Sequence, residues 1–177
     1  MALLAPALLE TPRLRLHLMQ PDDVDALLCI FADPTVMEAF QTPPFDRMDM
    51  MQWVQRNLDH QIAHGYGLFS VILKTDNVLI GDCGLELMDF DGTQVAELGY
   101  DFRSDYWNQG YATEAAQAVR DYAFEHLQLP RLISLIRVGN TRSRRVAEKI
   151  GMRCIGERTR YRHQYWQYML DHAAASE

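Results

Sequence analysis

The chain has 177 residues, 48% hydrophobic and 23% charged, with a formal net charge of −7 and an isoelectric point near 5.3. That size suits one domain with a substantial core, and no run approaches the roughly 20 apolar residues that a membrane-spanning helix needs. The acidic balance and the lack of an aromatic-basic RNA motif argue against nucleic-acid binding.

Cys29, Cys83 and Cys154 are widely spaced among apolar neighbours, as expected of reduced, buried thiols in a cytoplasmic protein. The apolar opening Met1–Leu9 lacks a basic leader and is broken by Pro6, so it does not read as a signal peptide. No linker, repeat or low-complexity block divides the sequence, and residues 1–177 are expected to form a single domain.

Alternating leucines predict a strand over Arg13–Leu18. Val24, Leu27, Leu28 and Phe31 then share one face of a helix from about Pro21, and Pro43-Pro44 marks a loop. A second helix follows Asp46, carries the stripe Met50, Val54, Leu58 and Ile62, and ends at Gly65. Its His60 and His64 have metal-ligand spacing, but Gln61 stands where a zinc hydrolase needs a glutamate base and no third ligand is evident, so no metal is expected. Strands follow at Tyr66–Leu73 and Val78–Leu87 around the turn Thr75-Asp76-Asn77, and Asp91-Gly92 marks a hairpin into a strand at Val95–Tyr100.

The stretch Trp107–Ala115 joins that strand to a helix on which Ala112, Ala116, Val119, Ala123 and Leu127 recur. Its turn has almost no side-chain bulk at Gly110 and Ala112, which lets backbone N–H groups approach a phosphate at the positive end of the helix dipole. Gly-x-Ala is also an ordinary way to pack a helix tightly on a sheet. An apolar strand follows at Leu132–Val138, then the polar cluster Asn140-Thr141-Arg142-Ser143 and a short helix stopping at Gly151. Met152–Arg158 and Gln164–Leu170 read as a last strand pair. Mostly antiparallel strands with one parallel crossover at the small-residue turn make an α+β fold, with a mixed sheet of six or seven strands flanked by helices.

The segments Thr11–Leu27, Ala96–Phe102, Trp107–Ala115 and Val138–Met152, in that order and at consistent distances, resemble the GNAT acetyltransferases, and most closely the ribosomal-protein N-terminal acetyltransferase branch. The resemblance runs from about Thr11 to about Leu170. It implies a splayed sheet, acetyl-coenzyme A as donor, and direct transfer to an amine acceptor, either a protein N-terminus or a small molecule such as a polyamine or amino sugar. It also implies cofactor contacts by the backbone of Tyr100, Asp101 and Phe102, by the turn Asn108, Gln109, Gly110, Tyr111, Ala112 and Thr113, and by Asn140 and Ser143. Trp107 departs from the family turn, whose first place holds Arg or Gln. The family tyrosine seven residues after the asparagine is here Ala147, which turns attention to Ser143 near the sulfur. Ser143 also reads as a helix N-cap and Asn140 as a turn residue.

An amine attacks a thioester only when unprotonated, so the site needs a base. Glu97 is the candidate, with a surface glutamate or an ion pair to Arg137 as the structural alternative. Cys83 and Cys154 have no neighbouring histidine or activating charge and read as packing residues. Residues 131–162 hold ten of the 17 Lys and Arg against two acidic groups, an excess of +8, whereas residues 1–130 carry −13. The basic segment reads either as a solvated face or as an attractor for a polyanionic cofactor, with the acidic part attracting a cationic acceptor. Tyr161, Tyr165, Trp166 and Tyr168 are expected in the sheet core and acceptor-pocket wall, with homodimer contact as a second role. A coenzyme A-binding module without transferase activity would carry the same cofactor residues.

Overall fold

A computed structural model describes residues 8–160 and 162–172; most of the apolar opening, and Tyr161, lie outside them. Eight strands form one sheet: β1 (Leu8–Glu10), β2 (Leu14–Leu18), β3 (Leu68–Leu73), β4 (Val78–Phe90), β5 (Thr93–Phe102), β6 (Arg131–Arg137), β7 (Arg153–Arg160) and β8 (His163–Asp171). Their order is β1-β2-β3-β4-β5-β6-β8-β7. Among the described residues only β5 and β6 are parallel neighbours. The sheet exceeds the expected count because β1, three residues long, is too short to show alternation in sequence.

The helices are α1 (Val24–Phe31), α2 (Pro34–Met37), α3 (Arg47–His64), α4 (Tyr111–Glu125) and α5 (Thr141–Lys149). Asp46 caps α3 by accepting from the Asp49 N–H, and Gly65 ends it at φ +75°. The four-residue α2 has no periodicity to reveal it in sequence, but Asp33 caps it and Pro34 opens it.

Helix α4 buries Ala115, Ala116, Val119 and Ala123 with Phe69, Val71, Cys83, Leu85 and Leu98 from one face of the sheet. Helices α1 and α3 close a second core over the other face, around Met19, Leu27, Ile30, Phe31, Met50, Val54 and Leu68. His60 pins α3 to the sheet: its Nε2 accepts the Leu87 N–H at 2.8 Å, so its Nδ1 carries the proton toward the Tyr66 carbonyl at 3.0 Å. Burial and His64 hold its pKa below the ordinary value, consistent with that neutral tautomer.

Two expectations need correction. Cys83 is buried, but Cys29 and Cys154 are exposed, because α1 turns Cys29 to solvent and Cys154 lies on the edge strand β7. Ile62 is 84% exposed, since the buried stripe of α3 runs through Met50, Val54 and Asn57 and drifts off its last turn.

Candidate active site

The hairpin between β4 and β5 positions the candidate base Glu97. Asp91 and Gly92 both have positive φ, +54° and +81°, which makes a two-residue turn and pairs Phe90 with Thr93. Antiparallel pairing then places Glu86 opposite Glu97, Gly84 opposite Gly99 and Asp82 opposite Asp101. Because alternate residues share a face, and Leu85 and Leu98 go to the α4 core, these acidic groups lie on the side of α1 and α3.

Next to this row the sheet opens. The register of β5 with β6 stops at Glu97 and Ile133, and Leu98–Phe102 have no ladder partner there. Glu97 sits at the fork and accepts the Leu135 N–H at 3.1 Å. It makes no ion pair with Arg137, whose guanidinium goes to the Phe40 carbonyl and the Gln41 side chain and lies 5.1 Å from the Tyr165 ring centroid. Burial and the facing Glu86 raise the Glu97 pKa, with the Leu135 N–H and Arg160 opposing, and the result is up to about 7. A carboxylate at that value is half ionised near neutrality, where a general base works best.

A pocket of about 260 Å³ lies between the unpaired end of β5 and the start of α4. Its walls include Tyr100, Asp101 and Phe102, the turn residues Asn108, Gly110, Tyr111, Ala112 and Thr113, and Asn140 and Ser143. Of the turn residues expected there, Gln109 is turned away: its side chain bonds the Asp105 carbonyl and its own carbonyl accepts from Arg13. Gly110 is the N-cap of α4 at φ +84°, a conformation that glycine takes without strain. The first intrahelical bond runs from the Glu114 N–H to the Gly110 carbonyl, so the N–H groups before it are available to an anion.

Sequence reasoning missed what holds this turn. Glu114 accepts from Thr11 Oγ1 at 2.6 Å and from the Arg13 backbone and guanidinium, while Arg13 also bonds the Gln109 carbonyl. Those partners are about 100 residues away in sequence. Trp107 donates its indole N–H to the Phe102 carbonyl and carries the Arg142 guanidinium 3.9 Å from its ring centroid. Arg142 joins Arg145 and Lys149 in the pocket wall, so a cation from α5 stands beside the turn whose first place holds no Arg.

Asn140, and not Ser143, caps α5, accepting the Ser143 N–H at 3.2 Å. The Ser143 carbonyl accepts the Tyr100 hydroxyl at 2.7 Å. Ser143 lines the pocket. The tail strands divide: Tyr168 is core, while Tyr165 and Trp166 are half-buried under Arg137 and Arg144. Only part of the basic segment reaches the pocket; Arg131, Arg144 and Arg158 are tied to Asp171, Glu148 and Asp91.

Asp82 and Asp101 are both driven above the ordinary carboxylate range by burial and by acidic neighbours. A carboxyl raised in the folded state binds more protons there than in the unfolded chain. Its stabilising contribution is full below its unfolded value and is lost as pH rises through its folded one. Asp101→Asn should therefore raise thermal stability at pH 8 and flatten its decline between pH 4 and 8. One pKa unit is worth ~1.4 kcal/mol, about 3–6 °C of melting temperature at this size. Scanning calorimetry showing a lower melting temperature for the variant at pH 8 would contradict the strained pair.

The Acetyltransferase (GNAT) domain family matches residues 13–153. The chain is 37% identical over 145 residues to the uncharacterized protein YkkB of Bacillus subtilis, covering 81% of this chain and 84% of that protein. It is 34% identical over 139 residues to the uncharacterized N-acetyltransferase p20 of Bacillus licheniformis, covering 76% of each. The crystal structure of a GNAT-family acetyltransferase from Bacillus anthracis superposes with a TM-score of 0.79 at 29% identity, covering 94% of this chain and 99% of that one. With its open, mostly antiparallel sheet and forked strands, the chain belongs to the GNAT acetyltransferase family. It is an N-acetyltransferase, and acetyl-coenzyme A is the typical donor of that family. Among the described residues no helix is long and apolar enough to cross a membrane.

Proposed function

We propose that this protein is a cytoplasmic enzyme that transfers the acetyl group of acetyl-coenzyme A to a primary amine by direct attack, with Glu97 as general base. The observation that carries the reading is the position of Glu97 at the fork, with its pKa raised to about 7, and a pocket that begins further along the same strand, at Tyr100, and reaches the start of α4. Acetyl-coenzyme A supplies a thioester whose carbonyl carbon the amine attacks, breaking the carbon–sulfur bond.

The residues divide the work. Gly110, Tyr111, Ala112 and Thr113 present backbone to the diphosphate, with Asn108 shaping the turn at φ +61°. The main chain of Tyr100, Asp101 and Phe102, left without a β6 partner, pairs with the pantetheine amides. Asn140 fixes the start of α5, and Ser143, in the pocket wall, is the hydroxyl-bearing residue available to the sulfur. Ala147, buried where a family tyrosine would stand, offers no acid. The departing sulfur tolerates that, because an alkyl thiol of pKa about 8.5 leaves as thiolate near neutral pH. Glu97 takes the proton from the ammonium, directly or through one water.

Arg142, Arg145 and Lys149 contribute attraction for the nucleotide phosphates. Affinity for coenzyme A should fall as salt rises, and fall more steeply than for an analogue lacking the 3′-phosphate. Equal slopes in calorimetric titrations would leave these cations as a solvated face.

Motif resemblance favours a protein N-terminus as acceptor, whereas the acidic row along β4 and β5 favours a small polycation. Mass spectrometry of products from a mixture of N-terminal peptides and small amines separates the two readings. Acetyl on peptide α-amines would support the first, and acetyl confined to polyamines the second. Acetyl on neither class would overturn the primary-amine reading.

A further inference from the structure

The segment that opens the family resemblance, Thr11–Leu27, contributes no residue to the chemistry proposed above. Arg13, just before β2, nevertheless reaches the turn that starts α4. Its Nη1 donates to the Gln109 carbonyl at 2.9 Å, its Nε to the Glu114 carboxylate at 2.6 Å, and its guanidinium lies 4.4 Å from the Tyr111 ring centroid. Arg13, Gln109 and Glu114 lie outside the pocket wall, whereas Gly110 and Tyr111 are part of it. The cation therefore grips the turn from behind.

That grip bears on an anion in two ways. The peptide joining Gln109 to Gly110 is trans, so its C=O and N–H point in opposite directions. A carbonyl tied to Arg13 behind the turn leaves the Gly110 N–H facing the pocket side. Glycine takes either sign of φ without strain, so this peptide plane can turn over unless something ties it. Glu114 is the second matter. It stands in the first turn of α4, where a carboxylate competes with a bound diphosphate for the positive end of the helix. Burial raises its pKa, but the Thr11 hydroxyl and the backbone and guanidinium of Arg13 outweigh that and hold it below the ordinary value, so it is ionised at neutral pH. The Arg13 ion pair offsets its charge.

We propose that Arg13 is a positioning residue for the coenzyme A diphosphate, holding the Gln109–Gly110 peptide so that its N–H faces the anion and neutralising Glu114. The assignment rests on the reading of this turn as the diphosphate site, for which Gly110→Val is the control. The probes are coenzyme A, by titration calorimetry, and pantetheine, which lacks the diphosphate, by NMR titration. Arg13→Met should weaken coenzyme A binding at least about tenfold, ~1.4 kcal/mol, and leave pantetheine binding unchanged. Adding Glu114→Gln to it should recover at least about threefold, because the unpaired carboxylate is gone. A merely structural tie would lower the melting temperature and either spare coenzyme A affinity or weaken both ligands alike; each of those affinity results would overturn the positioning role. No recovery in the double variant would overturn the neutralising role. Should Arg13→Met fail to fold, Arg13→Lys carries the test, since it keeps the charge but lacks the planar fork that spans Gln109 and Glu114. Coenzyme A binding weakened at least about threefold in that variant would uphold the tie, and wild-type affinity would overturn it. Affinity lost in Gly110→Val but not in the Arg13 variants would fault Arg13 alone, whereas affinity unchanged in all of them would fault the turn as the diphosphate site.

Discussion

Replacing Glu97 with glutamine is expected to lower turnover by about 10²- to 10⁴-fold, the usual cost of losing a general base. Glutamine keeps an oxygen that can accept the Leu135 N–H, so the fork between β5 and β6 should hold its shape. Affinity for coenzyme A should stay near that of the wild type, because Glu97 does not line the pocket proposed for the cofactor. The pH profile gives the sharper test. In the wild type, Glu97 is ionised above about 7, so kcat/KM should rise with pH through that value and lose its dependence on the carboxyl above it. In the variant that limb should vanish, and its deficit should shrink at high pH as more acceptor amine is already neutral. A folded Glu97→Gln protein with wild-type rate at neutral pH, or with the wild-type profile, would remove Glu97 from the chemistry.

The second large effect is expected at the turn before α4. Gly110→Val should weaken coenzyme A binding by at least about tenfold, ~1.4 kcal/mol, by placing a side chain between the diphosphate and the backbone donors. Positive φ adds strain of about 1–2 kcal/mol for an L-residue. The fold should survive, because a Cβ at Gly110 meets only the end of the Arg13 side chain, at 3.4 Å. Gly110→Asn separates the two causes, since asparagine tolerates this conformation but still adds bulk. Calorimetric titration should show weakened binding for both variants; unchanged affinity in folded proteins would take the turn out of the site.

What was legible in the sequence was local. Gly110 and Ala112 announce a helix start with little side-chain bulk, and the alternation around Glu97 announces its strand. The polar cluster from Asn140 to Ser143 announces a helix start, but Ser143 read as its cap and Asn140 as a turn residue, whereas the Ser143 N–H donates to Asn140. What stayed hidden depends on distant parts of the chain meeting. The Arg13 clamp on Gln109 and Glu114 joins segments with no sequence signal in common. Arg142 reaches Trp107 only because α5 packs beside the turn.

The acidic row lies between these cases. Once Asp91-Gly92 is read as a two-residue turn, counting back from Phe90 and Thr93 puts Glu86 opposite Glu97 and Asp82 opposite Asp101. The pairing was therefore legible, but the burial of Asp82 was not, because α1 packs over β4 from a distant part of the chain.

Thiol release from acetyl-coenzyme A, followed together with mass spectrometry of the amine product, tests the central claim most directly. The panel is N-terminal peptides, linear polyamines and amino sugars, each incubated with the wild-type protein. The account predicts that at least one class yields free thiol in step with N-acetylated product, and that both signals fall together in Glu97→Gln. Tight binding of acetyl-coenzyme A with no thiol released above background across the panel would contradict it, and would make the protein a coenzyme A-binding module.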